Sequence, residues 1–387
     1  MLAETFLRSV LGLFLLVGAL SLAGVVAAAD GEHARSAPTR FFDSDGWLDL
    51  SQYLDTAYGF MPLIVPITEP AVGYGAVGAV VFIDRHGPGK EQLYTRPNIA
   101  SVGGLATENG TRGAFGLHLG TWMDGKLRTV AGLSDMNVNL DFFGLGGDRR
   151  PGETGIGYAI GARGGMAGAS YRMGETPIWV GLRYTLASTS VTTAAQLPGV
   201  ATSDFDLDLG GLTPSLSLDM RDNFFTPTRG WYAELSLPTF REALGGSLNF
   251  EKVELTAMHY RPLGKSTFLS ARAGARTSSD GTPFYLRPYV SLRGVQALRY
   301  QGEEAAELEV ELRWQVHSRF SLVGFGGAGA ARGGVIVGDR EKSVAAGGVG
   351  FRYLIARKHG LHMGIDVAQG PDKPAIYFVF GNSWLRP

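Results

Sequence analysis

From Glu307 to Val316 apolar and polar side chains alternate without a slip. Leu308, Val310, Leu312, Trp314 and Val316 fall on one side, and Glu307, Glu309, Glu311, Arg313 and Gln315 fall on the other. A period of two defines a strand, because a helix would mix the two sets. The same alternation recurs elsewhere. Leu269, Ala271, Ala273 and Ala275 oppose Arg272, Gly274 and Arg276; Leu361, Met363, Ile365 and Val367 oppose His362, Gly364, Asp366 and Ala368. Leu216, Leu218 and Met220 likewise oppose Ser217, Asp219 and Arg221, and Ile178, Val180, Leu182 and Tyr184 oppose Gly181, Arg183 and Thr185.

From residue 60 onward the chain is a succession of such segments with turn residues between them. Strands are predicted at 71–84, 97–108, 111–123, 126–142, 156–173, 178–191, 208–221 and 230–240. They continue at 247–260, 266–277, 305–317, 320–331, 344–355, 361–368 and 375–384. Residues 60–68 supply a sixteenth despite Pro62 and Pro66. Many of these exceed the five or six residues usual in soluble sheets and suit the 9–11 residues of a tilted transmembrane strand. No helix is available to cover the apolar faces. In hydrocarbon every backbone group must be paired internally, which a closed barrel achieves. The expected fold is therefore all-β: one transmembrane antiparallel β-barrel of sixteen strands, apolar outside and charged and wet inside. A soluble sandwich is the competing arrangement; no fixed repeat supports a solenoid. Tyr94, Trp122, Trp179, Trp231, Tyr260 and Trp384 lie near strand ends, as interfacial girdles require.

The first 29 residues read as a cleavable secretory signal: Arg8, then an apolar run over 11–26, then Ala27-Ala28-Ala29. An uncleaved anchor is the alternative. Residues 30–59 are polar, with one short helical candidate at 47–54 after Asp43-Ser44-Asp45, suited to docking or to plugging a lumen. Residues 60–387 form the barrel.

Composition narrows the chemistry. Charged residues make up 18% of the 387, and the net charge is −1, which argues against nucleic acid as a partner. There is no cysteine, so thiolate and cysteine–zinc chemistry is excluded. No G-x-S-x-G elbow occurs, and none of the seven histidines has H-x-x-x-H spacing. The expectation is a protein that is not an enzyme and needs no cofactor. Gly73-Tyr74-Gly75-Ala76-Val77-Gly78 matches G-x-G-x-x-G, but no helix follows it, so the glycines mark a weak first strand instead of a phosphate cradle. Asn109-Gly110 reads as a hairpin tip.

The constellation with chemical content is Arg293 in Leu292-Arg293-Gly294-Val295. It lies in a connection far longer than an ordinary hairpin loop. After it come Glu309 and Glu311, then Phe325-Gly326-Gly327-Ala328-Gly329. A guanidinium offers a planar fork to carboxylates, and glycines opposite it would let a loop backbone approach. A solvated surface loop with an ordinary arginine accounts for the same residues.

These motifs resemble the barrel of the BamA/TamA family of outer-membrane assembly factors, also called the bacterial surface antigen family. The likeness is carried by Leu292-Arg293-Gly294-Val295 with Arg299-Tyr300-Gln301-Gly302, by Glu311-Leu312-Arg313-Trp314 and by Phe325-x-Gly327-x-Gly329. The stretches 219–223 and 227–231 and the closing Ile376-Tyr377-Phe378-Val379-Phe380-Gly381 add to it. It implies a loop tucked into the lumen with Arg293 paired to acids on the following strands, Glu311 first. The family often has an acid where Gly327 stands here. The resemblance also implies a Gram-negative outer membrane, outer-membrane lipid around the wall, and possible client proteins or a separate periplasmic module as partners. Family members that insert or secrete proteins carry POTRA modules ahead of the barrel. Residues 30–59 are too few for one, which points to a barrel-only branch.

The expected function is insertion or passage of proteins or lipids through a labile seam. Gly73, Gly75 and Gly78 would form its weak side, against Tyr377, Phe378 and Phe380. A passive structural barrel or pore is the alternative. A lipid-modifying enzyme has only scattered histidines in its favour.

Overall fold

A computed structural model describes residues 41–52, 59–84, 98–143, 155–197, 200, 205–333 and 342–384. The expected signal sequence, Tyr94 and the tip of the hairpin after residue 84 lie outside them. The first strands are β1 (Gly59–Ile67), β2 (Gly75–Asp84), β3 (Asn98–Thr107), β4 (Arg112–Trp122), β5 (Leu127–Phe142) and β6 (Ile156–Arg172). Then come β7 (Ile178–Thr193), β8 (Asp206–Asp219), β9 (Gly230–Ser236), β10 (Thr239–Phe240), β11 (Phe250–Pro262) and β12 (Thr267–Ser278). The last are β13 (Glu304–Gln315), β14 (Phe320–Arg332), β15 (Lys342–Ala356), β16 (Leu361–Gln369) and β17 (Ala375–Phe380). All seventeen belong to one sheet, and every described pairing is antiparallel between neighbours in the chain, apart from the β8–β11 region.

That region explains the strand count. β9 and β10 both pair with β8 and with β11, and they do so in one continuous register: Ser215 faces Ser236 and Leu212 faces Thr239. The gap holds Pro214 on β8 and Pro238 between β9 and β10. Neither can donate to the ladder, so each pair keeps only one bond, Leu237 N–H to Pro214 O and Lys252 N–H to Pro238 O, while the register runs on unbroken. The seventeen strands among the described residues thus occupy sixteen places.

Burial is inverted relative to a soluble sheet. On β13, Glu309 is 2% exposed while Leu312 is 43% and Trp314 is 53% exposed. Val180, Leu182, Leu216, Leu255, Leu322, Val349 and Val367 are likewise exposed on the same outer surface. No water-soluble protein gains by presenting that much apolar surface; a lipid-facing barrel requires it. Trp122, Tyr171, Trp231 and Trp314 are exposed at the end that carries the short turns 123–126, 173–177, 263–266 and 316–319, and form the girdle there.

The interior is of two kinds, and this corrects the expectation of a uniformly wet lumen. On β11 to β16 it is charged: Lys252, Glu254, Arg272, Glu307, Glu309, Glu311, Arg313, Arg352 and Asp366 are all buried. On β1 to β8 it is apolar, and Val65, Val77, Leu105, Phe115, Met136, Tyr158, Val191 and Leu209 share one cluster. Three of the aromatics assigned to girdles face inward instead. Trp179 carries Arg128 at 3.9 Å over its ring, and Tyr260 and Trp384 pack together with Tyr232 and Met258. Nearness to a strand end does not decide which side an aromatic takes.

The outward placement of β13 is checked by charge. Val310→Arg, halfway between exposed Glu304 and Trp314, should lower the unfolding free energy in lipid vesicles by about 2–4 kcal/mol, against under about 1 kcal/mol for Glu304→Arg. Equal losses would place water, not hydrocarbon, against that face.

Candidate functional site: the lumen-anchored arginine loop

Residues 279–303 connect β12 to β13 and run into the lumen. The loop is folded on itself before it touches the wall: Tyr289 and Gln301 form an isolated bridge, and the N–H of Val290 donates to Tyr300 O at 2.9 Å. Its first half is apolar and meets the apolar wall. Phe284, in a 3-10 turn Phe284–Leu286, lies edge-on to Phe142 at 5.6 Å and against Tyr158 at 5.4 Å. Tyr285 Oη and Thr189 Oγ1 of β7 share a hydrogen bond of 2.6 Å.

Its second half carries Arg293 to the charged wall. Arg293 Nε donates to Glu309 Oε1 at 2.7 Å, and Nη1 lies 2.8 Å from Glu311 Oε2 and 2.6 Å from Asp366 Oδ2. The guanidinium stacks on Phe325, with Cζ 3.6 Å from the ring centroid. Around it, Arg276 reaches Glu307 through both Nη atoms at 2.8 Å, Arg272 lies 3.5 Å from Glu309, and Arg352 pairs with Asp366 at 2.9 Å. Four arginines thus meet four carboxylates. Burying this many charges is tolerable only because each has a partner.

The loop's close approach depends on small residues. A Cβ on Gly327 would lie 2.9 Å from Leu292 Cδ2, and one on Gly329 2.5 Å from Val290 Cγ1. Gly294 has φ 87° and would place a Cβ 3.1 Å from Gln369 and Gly370, so both its backbone and its space demand glycine. Its N–H donates to Tyr377 Oη at 3.0 Å, which ties the loop to β17.

Asp366 and Ser383, whose Oγ accepts from Arg293 Nη1 at 2.8 Å, were not singled out in the sequence. Asp366 stood on the polar side of an alternating strand, which was the available signal. The seam glycines need correction. Gly75 and Gly78 lie in β2, which is paired on both sides, with β1 and with β3; Gly73 sits in the turn at φ 76°. β1 and β17 are the ends of the described pairing series. Tyr377, Phe378 and Phe380 belong to β17, and Tyr377 faces the lumen, where it packs on Phe325 and Ala368. Among the described residues no group of three or more acidic or histidine side chains is placed to hold a metal.

At the turn end, residues 41–52 clasp the rim. The backbone turns through a bridge between Phe42 and Leu48, which corrects the helix expected over 47–54: residues 47–50 are not helical, Ser51 and Gln52 are, and 53–54 lie outside the described residues. Arg319, fully buried in the β13–β14 turn, lies 2.9 Å from Asp43, 2.8 Å from Asp45 and 2.6 Å from Asp49. Arg357 adds contacts to Asp43 and Asp45. The Arg319 hydrogen bond holds the Asp45 carboxyl down at about 2. Burial opposes ionisation of Asp49, yet its bonds from Ser51, Arg319 and Arg357 leave it below the usual carboxylate range.

A barrel whose lumen holds a loop anchored by its own arginine defines an outer-membrane-type β-barrel with an internal plug. Residues 135–334, just over half of the chain, match the Omp85 superfamily domain, and the chain belongs to that superfamily. No curated protein matches it. Among solved structures it is similar to BamA from Haemophilus ducreyi lacking POTRA domains 1–3, at 11% identity and a TM-score of 0.56, over 84% of this chain and 69% of that one. CdiB from Escherichia coli matches at 13% and 0.54, over 84% and 60%. CdiB from Acinetobacter baumannii matches at 10% and 0.52, over 83% and 59%. The chain therefore spans about 60% of the CdiB structures, and at these identities the likeness is one of fold.

Two outcomes test the site. Arg293→Ala should lower the unfolding free energy by about 3–5 kcal/mol, because it removes the nearest cation from buried Glu309 and Glu311 and leaves them only Arg272 at 3.5 Å and Arg352 at 3.9 Å; Arg293→Lys should recover little, since an ammonium supplies neither the fork nor the stacking plane. Chemical unfolding in detergent reads both, and wild-type stability in Arg293→Ala would refute the anchor. The clasp should respond to acid. Asp45 and Asp49 titrate lower when docked, so their stabilisation is complete above the free carboxyl value and is lost as pH falls from about 4 toward 2. A spin label on Ser44→Cys should gain mobility over that window. It should be mobile already at neutral pH in Arg319→Gln; flat mobility from pH 5 to 2 would overturn the assignment.

Proposed function

We propose that this barrel resides in the outer membrane of a Gram-negative bacterium and assists client polypeptides in entering or crossing that membrane at the β1–β17 seam. The observation that carries the reading is the uneven height of the wall. β5, β6 and β7 have 16, 17 and 16 residues, while β1 has 9, β16 has 9 and β17 has 6. β17 pairs with β16 over only the stretch from Ala375 to Phe380. A low wall is mismatched to the bilayer, which must thin around it. A short terminal strand also leaves edge groups able to template an incoming strand. The family resemblance of the sequence points the same way. On this reading the protein breaks no covalent bond; lipid surrounds the wall, and clients, or a separate periplasmic module that delivers them, are its partners.

An open passive pore is disfavoured by the lumen itself, which holds the loop and a continuous apolar cluster. A purely structural barrel is the remaining alternative. Folding of a client barrel into vesicles of long-chain lipid, with and without this protein, separates the two. Acceleration of about ten-fold is expected, with little single-channel conductance from the wild type. No acceleration, over several clients, would leave the structural reading.

A further inference from the structure

The segment after β17 does not continue along the wall. Gly381 turns through a left-handed backbone (φ 72°), its N–H donates to His362 O at 2.7 Å, and the next three residues enter the lumen. Asn382 holds the bend: Nδ2 donates to Phe225 O at 3.2 Å, and Oδ1 accepts the N–H of Trp384 at 2.7 Å. Ser383 Oγ uses its full capacity. It accepts from Arg293 Nη1 at 2.8 Å and from Arg352 Nη2 at 3.2 Å, and donates to Glu311 Oε2 at 3.2 Å. The Trp384 indole is buried on Tyr232, Met258 and Tyr260, and its Nε1–H donates to Glu309 Oε2 at 2.8 Å.

Apart from the Gly381 N–H, which carries the β16–β17 register one pair past Met363 and Phe380, these contacts lie off the ladder. What they describe is a recess with an apolar floor, one carboxylate oxygen for an indole N–H, and two guanidiniums for a hydroxyl. The carboxylate is shared: Glu309 Oε1 holds Arg293 while Oε2 holds Trp384. Occupancy of the recess is therefore felt directly by the loop anchor.

We propose that this recess is a binding site for a polypeptide segment bearing a hydroxyl side chain followed by an indole, and that residues 381–384 are its resident occupant. The proposal rests on the client-handling reading, in which a client segment of this chemistry displaces the resident one and loosens Glu309 from its double role. A resident tethered through one glycine turn has an effective concentration of order mM, so a free peptide competes poorly until the resident indole is removed. Selectivity for indole follows from Glu309: a phenyl ring fills the floor but leaves Oε2 with only the longer contact to Arg272 Nη2 at 3.5 Å.

The test uses the full chain refolded in detergent and a blocked peptide copying residues 380–384 with 5-fluorotryptophan, followed by fluorine NMR. Trp384→Ala should bind the peptide saturably at one per barrel, and the wild type at least about ten-fold more weakly. A peptide with phenylalanine in place of tryptophan should lose about ten-fold on Trp384→Ala. Should Trp384→Ala not refold, Trp384→Phe keeps the apolar contact, loses only the N–H, and should bind with intermediate affinity. Absence of saturable binding to the folded variants, or equal binding of the two peptides, overturns the site. The client-folding assay on the wild type is independent. Peptide binding without client acceleration keeps the recess and removes the client reading, and acceleration without peptide binding does the reverse.

Discussion

The barrel depends on one electrostatic constraint: charges taken into its interior must be matched there. Glu307, Glu309, Glu311 and Asp366 project from strands whose other faces meet hydrocarbon, so they cannot turn outward. Arg272, Arg276 and Arg352 come from the wall and between them reach all four, Glu309 only at 3.5 Å and Glu311 only at 3.9 Å, while the buried Arg313 lies beside His362. The fourth arginine, Arg293, arrives on the loop and contacts three of the four acids. An unpaired buried carboxylate would cost several kcal/mol, so loop and wall each make the other tolerable. The loop is best regarded as a missing piece of the wall supplied from within the lumen.

The loop reflects this in its own sequence. Phe284, Tyr285 and Leu286 suit the apolar interior of the early strands, and Arg293 suits the charged interior of the late ones. Between the halves, Arg272 and Arg276 of β12 donate to the backbone carbonyls of Ser291 and Tyr289. The lumen is thus packed on one side by dispersion and held on the other by ion pairs. Each half-loop is specific because it would be misplaced against the opposite wall.

Much of this was legible in the sequence because alternation is a local property. It identified the strands, including 230–240 as one strand where proline later breaks the hydrogen-bond ladder, and it put Asp366 and Glu309 on polar faces. Alternation says which residues share a face, but not which face is inward or which strand is next door. Gly75 and Gly78 were therefore assigned to an edge that β1 in fact covers. Trp384 was read as interfacial because nothing local announces that Gly381 leaves the strand. A single positive φ redirects three residues from the membrane boundary to the centre of the lumen.

That redirection has a counterpart at the same end of the barrel. Residues 41–52 grip the β13–β14 and β15–β16 turns through Arg319 and Arg357, and Tyr353 Oη donates to Leu48 O at 2.6 Å. Residues 381–384 grip the lumenal faces of β13 and β15 through Glu309, Glu311 and Arg352. Both segments thus fasten onto the strands that hold the loop anchor, one at the rim and one inside. The early strands β5 to β8 are tall and paired over long registers, and they need no such support. The late strands surround a dense charge network and end at the short β17, where ladder hydrogen bonds are fewest. Extra fastening is concentrated where the wall itself is weakest, as expected if that part of the barrel must be held shut by contacts that can also be released.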